Sequence, residues 1–118
     1  MPKPEIEFRA VDDIPWQRIP DNDLQWQKIL AMDEFGNGTR LLRFDPGCRT
    51  RDVLRHDFWE EIWILEGSLT DLRLGETFTA GMYACRPPGM PHGPWEAPQG
   101  CVTFEVRYAE PDAKQSKT

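Results

Sequence analysis

The stretch of this sequence that decides the fold runs from residue 81 to residue 92 and reads Gly81-Met82-Tyr83-Ala84-Cys85-Arg86-Pro87-Pro88-Gly89-Met90-Pro91-His92. Its first half predicts a short strand, which the Pro-Pro-Gly turn then ends. A second stretch begins at His56, continues through Phe58-Trp59-Glu60-Glu61 and ends at Gly67. His56 and His92 are the only histidines of the chain. Both therefore lie at strand ends that Gly and Pro mark.

The remainder of the chain predicts many short strands. Alternating apolar residues are separated by turn signals at a spacing of roughly 8–12 residues, which is typical of a sandwich or barrel. No stretch of about ten residues has the period of a helix, and the nearest candidate is a turn over Asp12–Trp16. The predicted strands are Trp26–Met32, Thr39–Phe44, Arg51–His56, Glu61–Arg73 with a bend at Gly67, Thr77–Ala80, Met82–Arg86 and Cys101–Ala109.

The stretch from residue 81 to residue 92 resembles the second motif of the cupin superfamily, G-x5-P-x-G-x2-H-x3-N. The match runs from Gly81 through Pro87 and Gly89 to His92. It departs from the motif only at the last position, where Glu96 replaces asparagine.

The stretch that begins at His56 resembles the first cupin motif, G-x5-H-x-H-x3-E-x6-G. The match runs from His56 through Glu60 to Gly67. The earlier histidine of the motif falls on Leu54, and its opening glycine, Gly47, lies one residue too far upstream. The two motifs look closest to those of diketone- and hydroxyacetophenone-cleaving dioxygenases and of the zinc-binding cupin domain of anti-sigma factors.

This resemblance covers roughly residues 40–108 and implies an all-β fold, a single-domain cupin jelly-roll β-barrel (double-stranded β-helix). We expect residues 1–25 to form an N-terminal arm and loop, residues 26–109 to form the barrel, and residues 110–118 to form a flexible C-terminal tail.

The resemblance also implies that His56, Glu60 and His92 bind one divalent metal ion. Counting along the motif selects Glu60 rather than Glu61 as the inward carboxylate. Strand alternation places Leu54 on the same face as His56, so the first ligand position of the family is apolar here. Two neutral imidazoles and one carboxylate leave about three open positions, as in non-haem Fe(II) oxygenases. Fe(II) is the favoured ion, with Mn, Ni and Zn as alternatives.

The function expected from this resemblance is that of an Fe(II)-type oxygenase acting on a small organic substrate, such as a diketone, a phenolic ketone or an organic acid. Catalytic acid–base residues are not assigned. Aromatic walls suit a small, partly apolar molecule, and the expected substrate contacts are Phe58, Trp59, Tyr83, Trp95 and Phe104.

Two other functions remain open. A redox-neutral isomerase or lyase would need a titratable residue beside the metal, for which Tyr83, Glu96 and Glu105 are candidates. A non-catalytic module would bind a metal or a small molecule only. Arg86 could pair with an acid such as Glu96 on the rim and would then contribute little.

Composition excludes several classes of partner. A net charge of −6 and a pI of about 4.9 argue against nucleic acid and anionic membrane surfaces, which need a basic patch. The longest apolar runs have four residues, whereas a bilayer span needs roughly 20, and the first residues contain no apolar signal segment. The three cysteines, Cys48, Cys85 and Cys101, lack C-x-x-C spacing and predict buried free thiols. We therefore expect a cytoplasmic protein.

The sequence also predicts a symmetric homodimer. Outward apolar residues, Trp63, Leu65 and Val53, offer a surface that a second copy could cover. The segment Ile6–Arg9 could add to the sheet of the partner as an edge strand or an exchanged arm.

Overall fold

The computed structural model describes residues 2–110, and within them only a 3-10 turn at Val11–Asp13 is helical. The all-β prediction is confirmed. No helix in the described residues is long and apolar enough to cross a membrane. Most of the tail expected at 110–118 lies outside the described residues. The strands are β1 (Gln17–Arg18), β2 (Gln25–Met32), β3 (Gly38–Phe44), β4 (Cys48–Arg49), β5 (Phe58–Asp71), β6 (Glu76–Thr79), β7 (Tyr83–Arg86), β8 (Trp95–Ala97) and β9 (Cys101–Ala109).

These strands form one curled antiparallel sheet in the order β1-β2-β3-β9-β5-β8-β4, with β6 and β7 also paired to β5. The long strand β5 connects the two halves of the sheet. Its first half pairs with β7 and β9, whereas its second half pairs with β6 and β8. Because a single strand belongs to both halves, the sheet folds over on itself and encloses an interior.

The bend in β5 lies where the sequence predicts it. The register between β5 and β9 shifts between Ile64 and Glu66, and Gly67 then has a φ of +75°. A Cβ atom at Gly67 would lie 2.1 Å from the carbonyl oxygen of Gly100. Only glycine therefore permits this approach of β5 to the start of β9.

The interior has an apolar end and a polar end. A core of buried side chains occupies the apolar end and consists of Leu42, Phe44, Cys48, Ile64, Leu69, Trp95, Ala97 and Cys101. At the polar end, β9 turns Thr103 and Glu105 inward, and both are buried. The apolar face of β9, which includes Phe104 and Val106, is the outer one and borders a shallow groove.

Several local predictions are wrong. The segment Arg51–His56 is not a strand but a largely exposed loop with a single bridge between Leu54 and His92. Three of its six residues are charged, which leaves little apolar surface to bury. The strands β1, β4 and β8 were not expected, since two or three residues carry no readable period. Cys85 is exposed rather than buried. Ile6–Arg9 is exposed and forms no strand within this single chain, and its addition to the sheet of a second copy stays a prediction.

Candidate metal centre

Three side chains that could bind a metal meet at the polar end of the interior. One ligand atom from each of His56, Glu60 and His92 lies within 4.8 Å of the other two. Two backbone hydrogen bonds join Leu54 to His92, with N···O distances of 2.8 and 3.0 Å. The Gly89 amide also donates to the His56 carbonyl oxygen at 2.7 Å. These bonds hold the loop that carries His56 against the turn that carries His92, and β5 supplies Glu60 beside them.

Both histidines are neutral near pH 7. Burial, followed by Arg86, lowers the pKa of His92 to about 4. Burial and the charge of Arg107 lower the pKa of His56. The Nδ1 atom of His92 lies 3.3 Å from the carbonyl oxygen of Met90. The tautomer that donates this hydrogen bond leaves Nε2 unprotonated, which is the state that a metal requires of an imidazole.

Glu60 is buried and has arginines on both sides. Its Oε2 accepts a hydrogen bond from Arg107 Nε at 3.0 Å, and its Oε1 lies 3.9 Å from Arg86 Nη1. Burial and the neighbouring Glu105 raise the pKa of Glu60, whereas the arginines lower it. Since only Oε2 is hydrogen-bonded to an arginine, Oε1 can serve as a ligand. Two neutral imidazoles and one carboxylate oxygen therefore fit a divalent ion.

The group opens into a cavity of about 1120 Å³. Leu54 and His56 both border this cavity, so the position of the missing family histidine is apolar and faces the site. Charged side chains form much of the wall beside the group, and these are Arg40, Arg86, Arg107 and Glu105.

Two of the five aromatic residues predicted to contact substrate lie beside the histidines. The ring of Phe58 stacks on that of His56, with centroids 4.5 Å apart and planes 9° apart. Trp95 borders the cavity, and its ring lies 6.4 Å from that of His92. Phe58 and Trp95 therefore support the two candidate ligands.

The other three aromatic residues predicted to contact substrate do not lie beside the three candidate metal ligands. Trp59 stacks on Tyr108 and donates to Glu110, while Phe104 borders the outer groove. Tyr83 touches the edge of the cavity, but its hydroxyl donates to Glu61 on the outer face. Side chains alternate along a strand, so the neighbours of the inward Glu60 and Glu105 point outward.

The expected pairing of Arg86 with Glu96 is wrong, because the nearest carboxylate to Arg86 is that of Glu60 in the interior. Sequence reasoning also missed Arg40 and Arg107. Arg40 Nε donates to Glu105 Oε1 at 2.7 Å, directly across the β3–β9 ladder. A signal was present in β9, where Thr103, Glu105 and Arg107 share one face. That polar face is the inward one.

Comparison with known proteins identifies the family and the fold. Residues 6–109 match the family of the ChrR cupin-like domain. The chain belongs to this family. The comparison of this cupin with curated protein sequences gives no significant match.

Solved structures similar to this cupin include an RmlC-like cupin from Shewanella frigidimarina, with a TM-score of 0.71 and 20% identity over 95% of this chain and 97% of that one. An acetylacetone dioxygenase from Acinetobacter johnsonii has a TM-score of 0.72 and 16% identity over 95% and 82% of the two chains. A chain in the Rhodobacter sphaeroides complex of SigE with the anti-sigma ChrR has a TM-score of 0.64 and 20% identity. This match covers 85% of the present chain and 51% of the other. These similarities confirm the jelly-roll barrel of the cupins.

Proposed function

We propose that this cupin is a metal-dependent oxygenase for a small organic substrate, with His56, Glu60 and His92 as metal ligands and Fe(II) as the ion. The observation that supports it most is the meeting of three donors within 4.8 Å at the wall of a large cavity. When bound, Fe(II) supplies the redox chemistry of an oxygenase. The acetylacetone dioxygenase with the same fold supports this choice by analogy.

The residues of the chain prepare this site before any metal arrives. Phe58 fixes the ring plane of His56 by stacking, and Arg107 orients Glu60 through its hydrogen bond. Burial keeps the His92 imidazole neutral. Leu54 adds no donor, so the group keeps coordination positions for a substrate.

A non-catalytic binding module is the second candidate. One observation favours it, namely that the ion pair between Glu60 and Arg107 already satisfies part of the buried carboxylate. An isomerase or lyase has less support. The Tyr83 hydroxyl donates to Glu61, Glu96 does not border the cavity, and Glu105 is ion-paired to Arg40.

The deciding experiment combines metal analysis with oxygen consumption. Protein purified under argon is loaded with Fe(II), its iron content is measured, and oxygen uptake is recorded with acetylacetone, hydroxyacetophenone and aromatic organic acids. We expect about one iron per chain and uptake with at least one of these compounds, both abolished in His92→Ala. Iron binding without uptake would favour the non-catalytic module. No iron binding would refute the proposal.

We further propose that the ligand of this cavity is a small molecule and that the partner of the chain is a second copy of itself. A cytoplasmic location is proposed from the three free thiols.

A further inference from the structure

Three arginines face the polar end of the cavity, but only two carboxylates oppose them at close range. Arg40 Nε is 2.7 Å from Glu105, and Arg107 Nε is 3.0 Å from Glu60. Each of these carboxylates therefore has an arginine in direct contact. The third guanidinium, that of Arg86, has none.

The guanidinium of Arg86 is held in place without an acceptor. Its side chain is only 14% exposed, and its nearest carboxylate oxygen, Glu60 Oε1, lies at 3.9 Å, beyond hydrogen-bond range. Within residues 2–110 it makes no hydrogen bond. The guanidinium carbon instead lies 5.0 Å from the ring centre of Trp95. This stacking restricts the side chain and leaves the edge of its donor fork free.

Asp71 also borders the cavity, and it does not serve Arg86 as an acceptor. The Asp71 carboxylate is buried and accepts hydrogen bonds from three backbone amides, those of Arg73, Leu74 and Gly93. Its charge raises the pKa of Arg86, as do those of Glu60 and Glu105, although burial has the larger and opposite effect. None of the buried side-chain nitrogen or oxygen atoms in the described residues lacks a hydrogen-bond partner. The unpaired donors of Arg86 therefore face the cavity that this residue borders, where an anion can accept hydrogen bonds from them.

We infer that Arg86 binds the carboxylate of an anionic substrate beside the metal ligands. A guanidinium fork binds a carboxylate by donating two parallel hydrogen bonds, and Trp95, which also borders the cavity, offers aromatic surface to the body of such a molecule. The inference rests on the proposed function in taking this cavity as the substrate site. It selects the organic acid among the diketone, phenolic ketone and organic acid substrates.

Mandelate, an aromatic 2-hydroxy acid, and its neutral amide, mandelamide, test this inference. Isothermal titration calorimetry on metal-free protein compares the wild type with Arg86→Gln, Arg86→Lys and the control Arg9→Gln. Arg9 is exposed and does not border the cavity. Its variant therefore removes the same charge as Arg86→Gln but at a position away from the proposed site. Circular dichroism checks that each variant is folded.

We expect the wild type to bind mandelate at least about tenfold more tightly than mandelamide, which is the effect of one charge-assisted contact. Arg86→Gln should lose this preference while mandelamide binding stays unchanged. Arg86→Lys should keep part of it, because a point charge remains without the fork. Arg9→Gln should behave as the wild type.

Equal binding of the two compounds to the wild type would overturn the inference, whether or not the variants fold. So would a preference that Arg86→Gln leaves intact, since another arginine would then hold the anion. Iron content is measured separately. A chain that binds no iron but keeps the Arg86-dependent preference would refute the oxygenase alone, whereas iron binding without the preference would refute the anion site alone.

Discussion

At the scale of single residues, Glu60 and Glu61 are neighbours in opposite environments. Glu60 is buried beside two histidines. Glu61 points outward and accepts hydrogen bonds from the hydroxyls of Tyr83 and Tyr108. The motif spacing selected Glu60 from the sequence alone, because a fixed offset along a strand determines the face on which a side chain lies.

Separate substitution of Glu60 and of Glu61 tests which of the two carboxylates is a metal ligand. We expect Glu60→Gln to lower Zn²⁺ or Fe²⁺ affinity by at least about tenfold, because the loss of a ligand costs no less than the loss of a group that orients one. Glu61→Gln is the matched control and should retain full metal content by elemental analysis. Metal loss in Glu61→Gln with retention in Glu60→Gln would contradict the assignment.

The two histidines allow a direct test of protonation. In metal-free protein, the ring proton signals of His92 should titrate with a midpoint near 4, and those of His56 below the usual 6.5. At these two histidines, the unfolded chain binds more protons than the folded one at pH values below about 6.5. Neutral His92 therefore contributes stability above about pH 6.5 that is lost as the pH falls toward 4.

Nuclear magnetic resonance measures both midpoints, and the variant His56→Gln assigns the signals. Urea melts at pH 7 and pH 5 should show a smaller acid loss of stability in His92→Gln than in the wild type. The comparison with the variant is needed because the raised pKa of Glu60 acts in the opposite direction at acid pH. A His92 midpoint at or above 6.5 would refute the prediction.

At the scale of elements, the success of a sequence-based prediction followed strand length. Cys101–Ala109 matches its predicted bounds, because the seven residues from Val102 to Tyr108 alternate between apolar and polar without interruption. The two-residue strands β1 and β4 could not be found, since their pairing depends on partners distant in the chain. The two motifs identify His56, Glu60 and His92 as candidate ligands. They do not identify Arg40, because its partner Glu105 lies 65 residues away in the chain.

The bulge in β5 is the element whose geometry is most restrictive. We expect Gly67→Ala to lower the free energy of unfolding by several kcal/mol, because it combines a positive φ, worth about 1–2 kcal/mol, with a clash against the backbone of Gly100. Gly75→Ala is the control, since Gly75 has a φ of +70° but open space around it. Chemical denaturation measures both, and equal losses would show that the close approach does not matter.

At the scale of the whole molecule, the polarity of one half of the barrel is inverted. Charged side chains line the cavity, and the apolar side chains of β9 face outward. The alternation of apolar and polar residues in β9 therefore does not by itself show which face is buried, because here the polar face is the inward one. A cavity that holds charges requires this arrangement, and it leaves an apolar outer surface that a monomer would expose to water.

That outer surface is where we expect a second copy of the chain to bind. Trp63 is 52% exposed and Tyr83 is 61% exposed, and both border the groove that Phe104 and Val106 line. Burial of such aromatic residues in a symmetric interface would stabilise a dimer.

We expect a dimer by sedimentation velocity at micromolar concentration, and a monomer for Trp63→Glu. Phe35→Glu is the control, because Phe35 is 81% exposed in the turn between β2 and β3; it should leave the dimer intact. A monomeric wild type would refute the homodimer, and a dimer that survives Trp63→Glu but not Phe35→Glu would place the interface elsewhere.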